Sequence, residues 1–333
     1  MKALVTGGGG FVGFALCERL RSLDWEVRSL SRGDYPGLAK IGVDHVRSDL
    51  CDRKATLAAV RGCDAVFHVA AKAGVWGPYR EYHQANVVAT ESVIEACRAA
   101  GVARLVFTSS PSVVFDGRGM EGVDESVPYS SHPHSHYSAT KALAEQAALA
   151  ANDANLRTCA LRPHLVWGPR DNHIFPRLVA RAKAGRLRIV GDGGNRVDVT
   201  YIDNAVEAHV LAEESLRNAA SPVGGRAYFV SDGAPVNAWQ FINQLLACAD
   251  MPPITRRVPL WAASAIGGVL ETTYGLLGIR AEPPMTRFVA RELATSHWFD
   301  IGAARRDLGY RAVVDQATGL AQLRAFWLGS AST

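Results

Sequence analysis

The sequence predicts an α/β chain, a doubly wound parallel sheet that carries a smaller, mostly helical C-terminal lobe. Three observations predict it. Short apolar runs alternate with segments of helical spacing through the first half. A glycine-rich run falls on the first strand-to-helix junction. From about residue 168 the pattern loosens into turns, and after about Pro235 it reads mainly as helices. The strand candidates are Ala3–Thr6, Glu26–Leu30, His45–Arg47, Ala65–Val69 and Leu105–Thr108, followed by Arg157–Leu161 and Ala227–Val230. Segments such as Gly13–Ser22 and Asn86–Ala100 carry apolar residues at helical spacing between them. Strand–helix alternation of this kind implies βαβ units whose sheet is covered on both faces.

At 333 residues the chain is long enough for a large domain plus a smaller one. An apolar fraction of 48% and a charged fraction of 20% are those of a globular protein with a sizeable core. The formal charge of +4 is small and scattered, so nucleic acid is not expected as a partner. Six widely spaced cysteines without a CxxC pair fit free thiols in a reducing compartment. The N-terminus runs straight into a strand without a charged leader, so a cytoplasmic protein is expected.

The run Thr6-Gly7-Gly8-Gly9-Gly10-Phe11-Val12-Gly13 joins the first strand to the first helix. Glycines at 7, 10 and 13 allow a tight turn, close approach of a pyrophosphate, and packing of helix on strand. The helix N-terminus adds unpaired N–H groups and a partial positive charge. The second strand ends in Ser31-Arg32, where a site for an unphosphorylated ribose would place an acid. A hydroxyl and a guanidinium suit a 2′-phosphate, so NADP(H) is expected. Asp49-Leu50 follows the third strand; Asp49 reads either as an acceptor for an adenine amino group or as a helix cap. Residues 1–165, with contributions from about 198–232, therefore read as a dinucleotide-binding core. Residues 166–197 and 233–333 read as the lobe that holds substrate.

Tyr137 and Lys141 lie four residues apart, one turn of a helix on one face. A phenol in water titrates near pH 10, and a neighbouring ammonium favours the phenolate, so the pair is expected to give a tyrosine with lowered pKa.

Taken in order, these residues resemble the extended short-chain dehydrogenase/reductases, with a Rossmann-type core. The marks are Thr6-Gly7-x-x-Gly10-x-x-Gly13, Asp49-Leu50, His68-Val69-Ala70-Ala71, Asn86, Ser109-Ser110, Tyr137-x-x-x-Lys141 and Arg162-Pro163. The stretches 107–115, 161–171 and 198–204 narrow the resemblance to the 3β-hydroxysteroid dehydrogenase-like branch. There the chain resembles the decarboxylating sterol-4α-carboxylate 3-dehydrogenases and the bacterial 2-alkyl-3-oxoalkanoic acid reductases of long-chain olefin biosynthesis. Lys72-Ala73-Gly74-Val75-Trp76-Gly77 and the Arg-rich, Lys-poor composition favour the bacterial group.

The resemblance implies Tyr137 as the proton donor to a carbonyl oxygen and Lys141 as its electrostatic partner on the nicotinamide ribose. Ser110, or the adjacent Ser109, would donate a hydrogen bond to the same oxygen. Asn86 would support a proton relay or the site's backbone, or simply cap a helix. Gly7, Gly10, Phe11, Val12, Gly13, Ser31 and Arg32 would hold the dinucleotide, together with Asp49, Leu50, Ala70 and Ala71. Pro163 and His164 would lie under the nicotinamide carboxamide. A homodimer is implied as well.

Both candidate chemistries place an oxygenated carbon β to a carboxylate, so the site needs a cationic partner. Lys72 is the first candidate and Arg170 the second. His132-Pro133-His134-Ser135-His136 suits an extended loop, and no Cys or acidic cluster joins it, so no metal is expected. The most apolar stretch, 258–279, is interrupted by Glu271 and Gly267-Gly268. It reads as a core helix, as a roof over a channel for a long-chain or sterol-like substrate, or as a helix resting on a membrane surface.

Overall fold

A computed structural model describes residues 1–330 and gathers the predicted strands into one parallel sheet. Its members are β1 (Lys2–Thr6), β2 (Glu26–Ser31), β3 (Asp44–Arg47), β4 (Ala65–His68), β5 (Arg104–Thr108), β7 (Arg157–Pro163) and β12 (Arg226–Val230). Their spatial order is β12-β7-β5-β4-β1-β2-β3. The winding reverses between β1 and β4, which opens a crevice at their carboxyl ends.

The crossovers are α1 (Phe11–Ser22), α2 (Pro36–Lys40), α3 (Arg53–Val60), α5 (Ala89–Ala100) and α6 (His136–Ala150), with α8 (Ile202–Arg217) leading into β12. A short α4 (Tyr79–Tyr82) runs into a π-helical turn, His83–Val88, ahead of α5. Helices α1 and α8 pack together on one face, while α3, α5 and α6 cover the other. The strands serve both faces by alternation. In β1, Ala3 and Val5 join the core beneath α1 and α8, and Leu4 joins the core beneath α3 and α5. This two-sided burial is why the central strands β1, β4 and β5 are largely apolar, whereas the edge strand β3 is polar and partly exposed.

The second lobe contains α7 (Ile174–Lys183), α9 (Ala238–Cys248), α10 (Leu260–Leu276), α11 (Arg287–Glu292), α12 (Gly302–Asp307) and α13 (Gln316–Ser330). It is less purely helical than its sequence suggests. A four-stranded sheet joins β13 (Val236–Asn237), β10 (Arg196–Val197), β15 (His297–Phe299) and β6 (Met120–Val123). Two further pairs link β8 (Val166–Trp167) to β11 (Thr200–Tyr201) and β9 (Ile189–Val190) to β14 (Arg257–Val258). Strands of two to four residues are too short to show a period of two. The β6–β15 pairing ties residues 120–123 to the far end of the chain, so the second lobe closes directly over the crevice.

Candidate active site

The phosphate loop is built by close backbone contact. Gly7 sits at φ +70°, and a Cβ there would stand 2.9 Å from the Ala70 Cα. A Cβ on Gly13 would stand 2.2 Å from the Gly7 carbonyl oxygen. The Gly10 N–H donates to that same carbonyl at 2.8 Å. Helix α1 begins without a side-chain cap and without an acid in its first turn, which leaves its N-terminal N–H groups open to an anion.

A cleft of about 630 Å³ runs from this loop across the sheet's edge. Gly7, Gly10, Phe11, Val12 and Gly13 line its floor, and Leu50, Ala70 and Ala71 line its walls. Ser31 and Arg32 lie at the end of β2. Arg32 is exposed and reaches the cleft, whereas the nearby Asp34 does not line it. The Ser31 hydroxyl is buried and has no hydrogen-bond partner among the described residues, nor does the buried Ser109 hydroxyl, which also lines the cleft. Asp49 reaches the cleft too, but one carboxylate oxygen already accepts the Cys51 N–H at 2.9 Å. Tyr35, Ser48, Gln84 and His173 also line it, and the sequence did not mark them. The unpartnered hydroxyls and the glycine cradle fit a nicotinamide dinucleotide.

A chain of buried hydrogen bonds connects this cradle to α6. The Thr6 hydroxyl accepts the Val69 and Ala70 N–H groups, both at 3.1 Å, and meets His68 Nδ1 at 2.7 Å. His68 Nε2 meets the Thr90 hydroxyl at 2.9 Å, and Thr90 donates to the Asn86 carbonyl at 2.6 Å. Burial, with the Lys141 charge adding to it, pulls the His68 pKa down to about 3, so the ring is neutral. Thr90 spends its proton on Asn86, so His68 must carry its own on Nε2 and accept the Thr6 proton at Nδ1. The Asn86 side chain continues the chain. It accepts the Lys72 N–H at 2.7 Å and donates to the Lys72 carbonyl at 3.2 Å and to the Thr140 hydroxyl at 3.0 Å. Asn86 thus clamps the strand exit after β4 to the helix of Tyr137, and it does so from a π-helical turn.

Helix α6 starts at a capping box, Ser135 with Ser138, which sets the position of the first turn and of Tyr137 within it. The Ser110 side chain stands close to the phenol and favours its ionised form. Ser110 itself is fixed by accepting the Ser112 N–H at 3.2 Å. The electrostatics correct the sequence-based expectation. Burial raises the Tyr137 pKa, Ser110 opposes that shift, and the Glu292 charge adds to it. Lys141 does not depress it, because its ammonium is turned to the Thr108 carbonyl at 2.6 Å and lies 4.1 Å from the centre of the Phe107 ring.

Burial lowers the Lys141 pKa to about 7. The unfolded chain holds that proton up to about pH 10.4. Unfolding therefore takes up a proton between about pH 7 and 10, and stability of the dinucleotide-free protein should rise with pH across that window. Melting temperature measured from pH 7 to 10 is expected to rise more in the native chain than in Lys141→Met. Equal slopes would remove Lys141 as the source.

Behind the pair, Arg162 of β7 grips Glu145 of α6, with Nε 3.0 Å from Oε2, and both side chains are almost fully buried. The Tyr129 hydroxyl donates to the same carboxylate at 2.7 Å. Pro163 is buried at the end of β7 and does not line the dinucleotide cleft. His164 is half-buried and meets His297 Nδ1 through its Nε2 at 2.6 Å.

The two predicted carboxylate partners are otherwise engaged. Lys72 pairs with Glu81 at 2.9 Å and faces the dinucleotide cleft. Arg170 pairs with Glu18 and stacks 4.9 Å from the centre of the Phe14 ring, on the flank of α1. Neither offers a free cation to a substrate. The histidines of 132–136 also go separate ways: His132 bonds to Ser131, His134 to the Asp116 carbonyl and His136 to the Gly77 carbonyl.

A second cleft, of about 880 Å³, opens between the start of α6, residues 75–78, α10 and α11. Its wall combines Trp76, Tyr274, Ile279 and Phe288 with Arg280, Arg287 and Arg291. Arg287 is bound to Glu271 at 2.7 Å. The Arg291 guanidinium has no partner among the described residues and stands beside Gly117. Arg280 likewise has no side-chain hydrogen bond or ion pair among the described residues, and sequence reasoning named neither arginine. Helix α10 roofs this cleft and turns Trp261, Ile266, Val269 and Leu276 outward, with Leu276 83% exposed. No helix among the described residues is long and apolar enough to cross a membrane.

Residues 4–260 match the 3-beta hydroxysteroid dehydrogenase/isomerase family. The chain belongs to that family. It is 51% identical to a 2-alkyl-3-oxoalkanoate reductase of Stenotrophomonas maltophilia (strain K279a), over 98% of this chain and 99% of that one. A decarboxylating sterol-4-alpha-carboxylate 3-dehydrogenase of Mus musculus is 32% identical over 94% of this chain and 87% of its own. Among solved structures, MoeE5 in complex with UDP-glucose and NAD superimposes with a TM-score of 0.75 at 27% identity. That match covers 99% of this chain and all of the other. The family is one of dehydrogenases and reductases, and a nicotinamide dinucleotide in the 630 Å³ cleft follows from fold and cradle together.

Proposed function

We propose that this protein reduces the keto group of 2-alkyl-3-oxoalkanoic acids to the 2-alkyl-3-hydroxy acids, with NADPH as hydride donor. The observation that carries the reading is the position of Tyr137, which lines the dinucleotide cleft beside Ser110 while its helix neighbours His136 and Ala139 line the arginine-lined cleft. The likeness to the Stenotrophomonas reductase supports the substrate class. The bound dinucleotide supplies a hydride to the carbonyl carbon. Tyr137 gives its phenolic proton to the carbonyl oxygen, and Ser110 donates a hydrogen bond to that oxygen as charge develops on it. A phenol whose pKa is raised by burial stays protonated at neutral pH, which suits an acid and therefore the reductive direction. Lys141 lies on the same face to receive the nicotinamide ribose and to supply a proton toward the spent tyrosine. Asn86 holds the backbone on which both depend.

Preference for the phosphorylated cofactor rests on Arg32 and the unpartnered Ser31 hydroxyl. Paired assays with NADPH and NADH, against a 2-alkyl-3-oxo acid and a 3-keto sterol, test the reading. NADPH oxidation with the keto acid is expected, and turnover of the sterol alone would overturn it. Arg32→Asp should lower the NADPH-to-NADH preference by about tenfold to a hundredfold, the loss of one charge-assisted phosphate contact of about 1.5–3 kcal/mol. An unchanged ratio would remove Arg32 from cofactor choice.

A further inference from the structure

A substrate of the proposed class has three groups diverging from two adjacent carbons: a carboxylate, a 2-alkyl arm and the chain beyond the keto carbon. The 880 Å³ cleft, with Arg291 and its aromatic wall, can take the carboxylate and one arm. The second lobe holds a separate cavity of about 170 Å³. Trp167, Ile174, Leu178, Phe241 and Leu245 form its walls, and apart from Glu292 and His297 every lining side chain is hydrocarbon or aromatic. An apolar cavity of this size stays dry, and one of about 150 Å³ accepts benzene.

The cavity lies just past the carboxyl end of β7, the strand whose Leu161 carbonyl accepts the Ser109 N–H at 2.6 Å. Leu165, two residues beyond Pro163, is its most open lining residue, at 36% exposure. His297 lines it and bonds to His164 on the other side. Helix α11 is the wall shared with the larger cleft: Phe288 and Arg291 line that cleft, and Glu292 lines this cavity. The Glu292 carboxyl has no hydrogen-bond or ion-pair partner among the described residues, and burial raises its pKa.

We propose that this cavity receives the distal carbons of one of the substrate's two alkyl arms, so that its depth sets the length of that arm. The proposal rests on the keto-acid reading above. The cavity holds roughly a six-carbon end, by comparison with the cavity that accepts benzene. The other arm runs along the open cleft under α10, where length is not limited by a closed wall.

Two filling variants test it: Ala238→Leu, at the start of α9, and Ile242→Phe one turn later. Each is assayed against two series of 2-alkyl-3-oxo acids, one varying the 2-alkyl arm and one the acyl arm. In one series only, kcat/KM for the longest members should fall at least tenfold, with the shortest members unchanged. Equal scaling of all members, or a higher melting temperature with an unaltered length profile in both variants, overturns the proposal while leaving the reductase reading intact. Turnover of no keto acid by the native protein overturns the reductase reading instead. Benzene then decides the cavity by itself. A benzene-dependent rise in melting temperature in the native protein and not in Ala238→Leu supports an apolar subsite, and no rise in either overturns it.

Discussion

Replacing Tyr137 by Phe is expected to lower kcat for keto-acid reduction by about 10³-fold, within the 10²–10⁴ range of a positioned general acid. The substitution removes one oxygen and leaves the ring in a site shaped by the capping box and the neighbouring Ser110. Dinucleotide affinity should therefore change little, because the glycine loop, Ser31 and Arg32 are untouched. The loss should appear in kcat rather than in KM, since the missing proton matters in the transition state and not in the ground-state complex. Steady-state kinetics with NADPH and fluorescence titration of the cofactor separate the two. A variant with native kcat would take Tyr137 out of the proton path. The raised phenol pKa adds a pH expectation. The reductive rate should fall only as the phenol loses its proton, above the ordinary tyrosine range, until the cofactor's own charges intervene.

The second large effect is on stability. Arg162→Met should destabilise the protein by about 3–5 kcal/mol, the cost of leaving a buried carboxylate without its cation. Glu145 would keep only the Tyr129 hydroxyl as a donor in a site closed to water. Changing both partners together, Glu145→Leu with Arg162→Met, should recover much of the loss, because no uncompensated charge remains. Denaturant unfolding of the two single variants and the double one gives the coupling directly. Additive losses would show that the pair acts as two independent packing residues. The consequence for the site is mechanical. Glu145 lies one turn beyond Lys141, so the ion pair anchors the helix of Tyr137 and Lys141 to β7.

The centre of the main sheet was legible because β1, β4 and β5 are apolar on both faces, a signal strong enough to survive short length. The glycine loop and the Tyr137–Lys141 pair were legible because their spacing is local. Contacts closed by distant partners were not. Arg170 finds Glu18 from 152 residues away, and nothing near position 170 announces it. Lys72 is drawn off by Glu81, whose position depends on the turn into α4. The small sheet escaped notice because β10, β13 and β15 offer too few residues to show alternation. The expected fall in the tyrosine pKa failed for a similar reason. Helical spacing places Lys141 correctly, but the Thr108 carbonyl and the Phe107 ring decide where its ammonium points.

The chain Thr6–His68–Thr90–Asn86 also bears on how this sequence can drift. Each member has its donor and acceptor roles set by the next, so a change at one position strands a polar atom at another. His68→Asn or Thr90→Val alone would leave a buried group unmatched. Natural variants of this chain should therefore alter these four positions jointly, moving from one self-consistent set to another. Such correlated replacement would be the mark that the wiring, and not any single residue, is under selection.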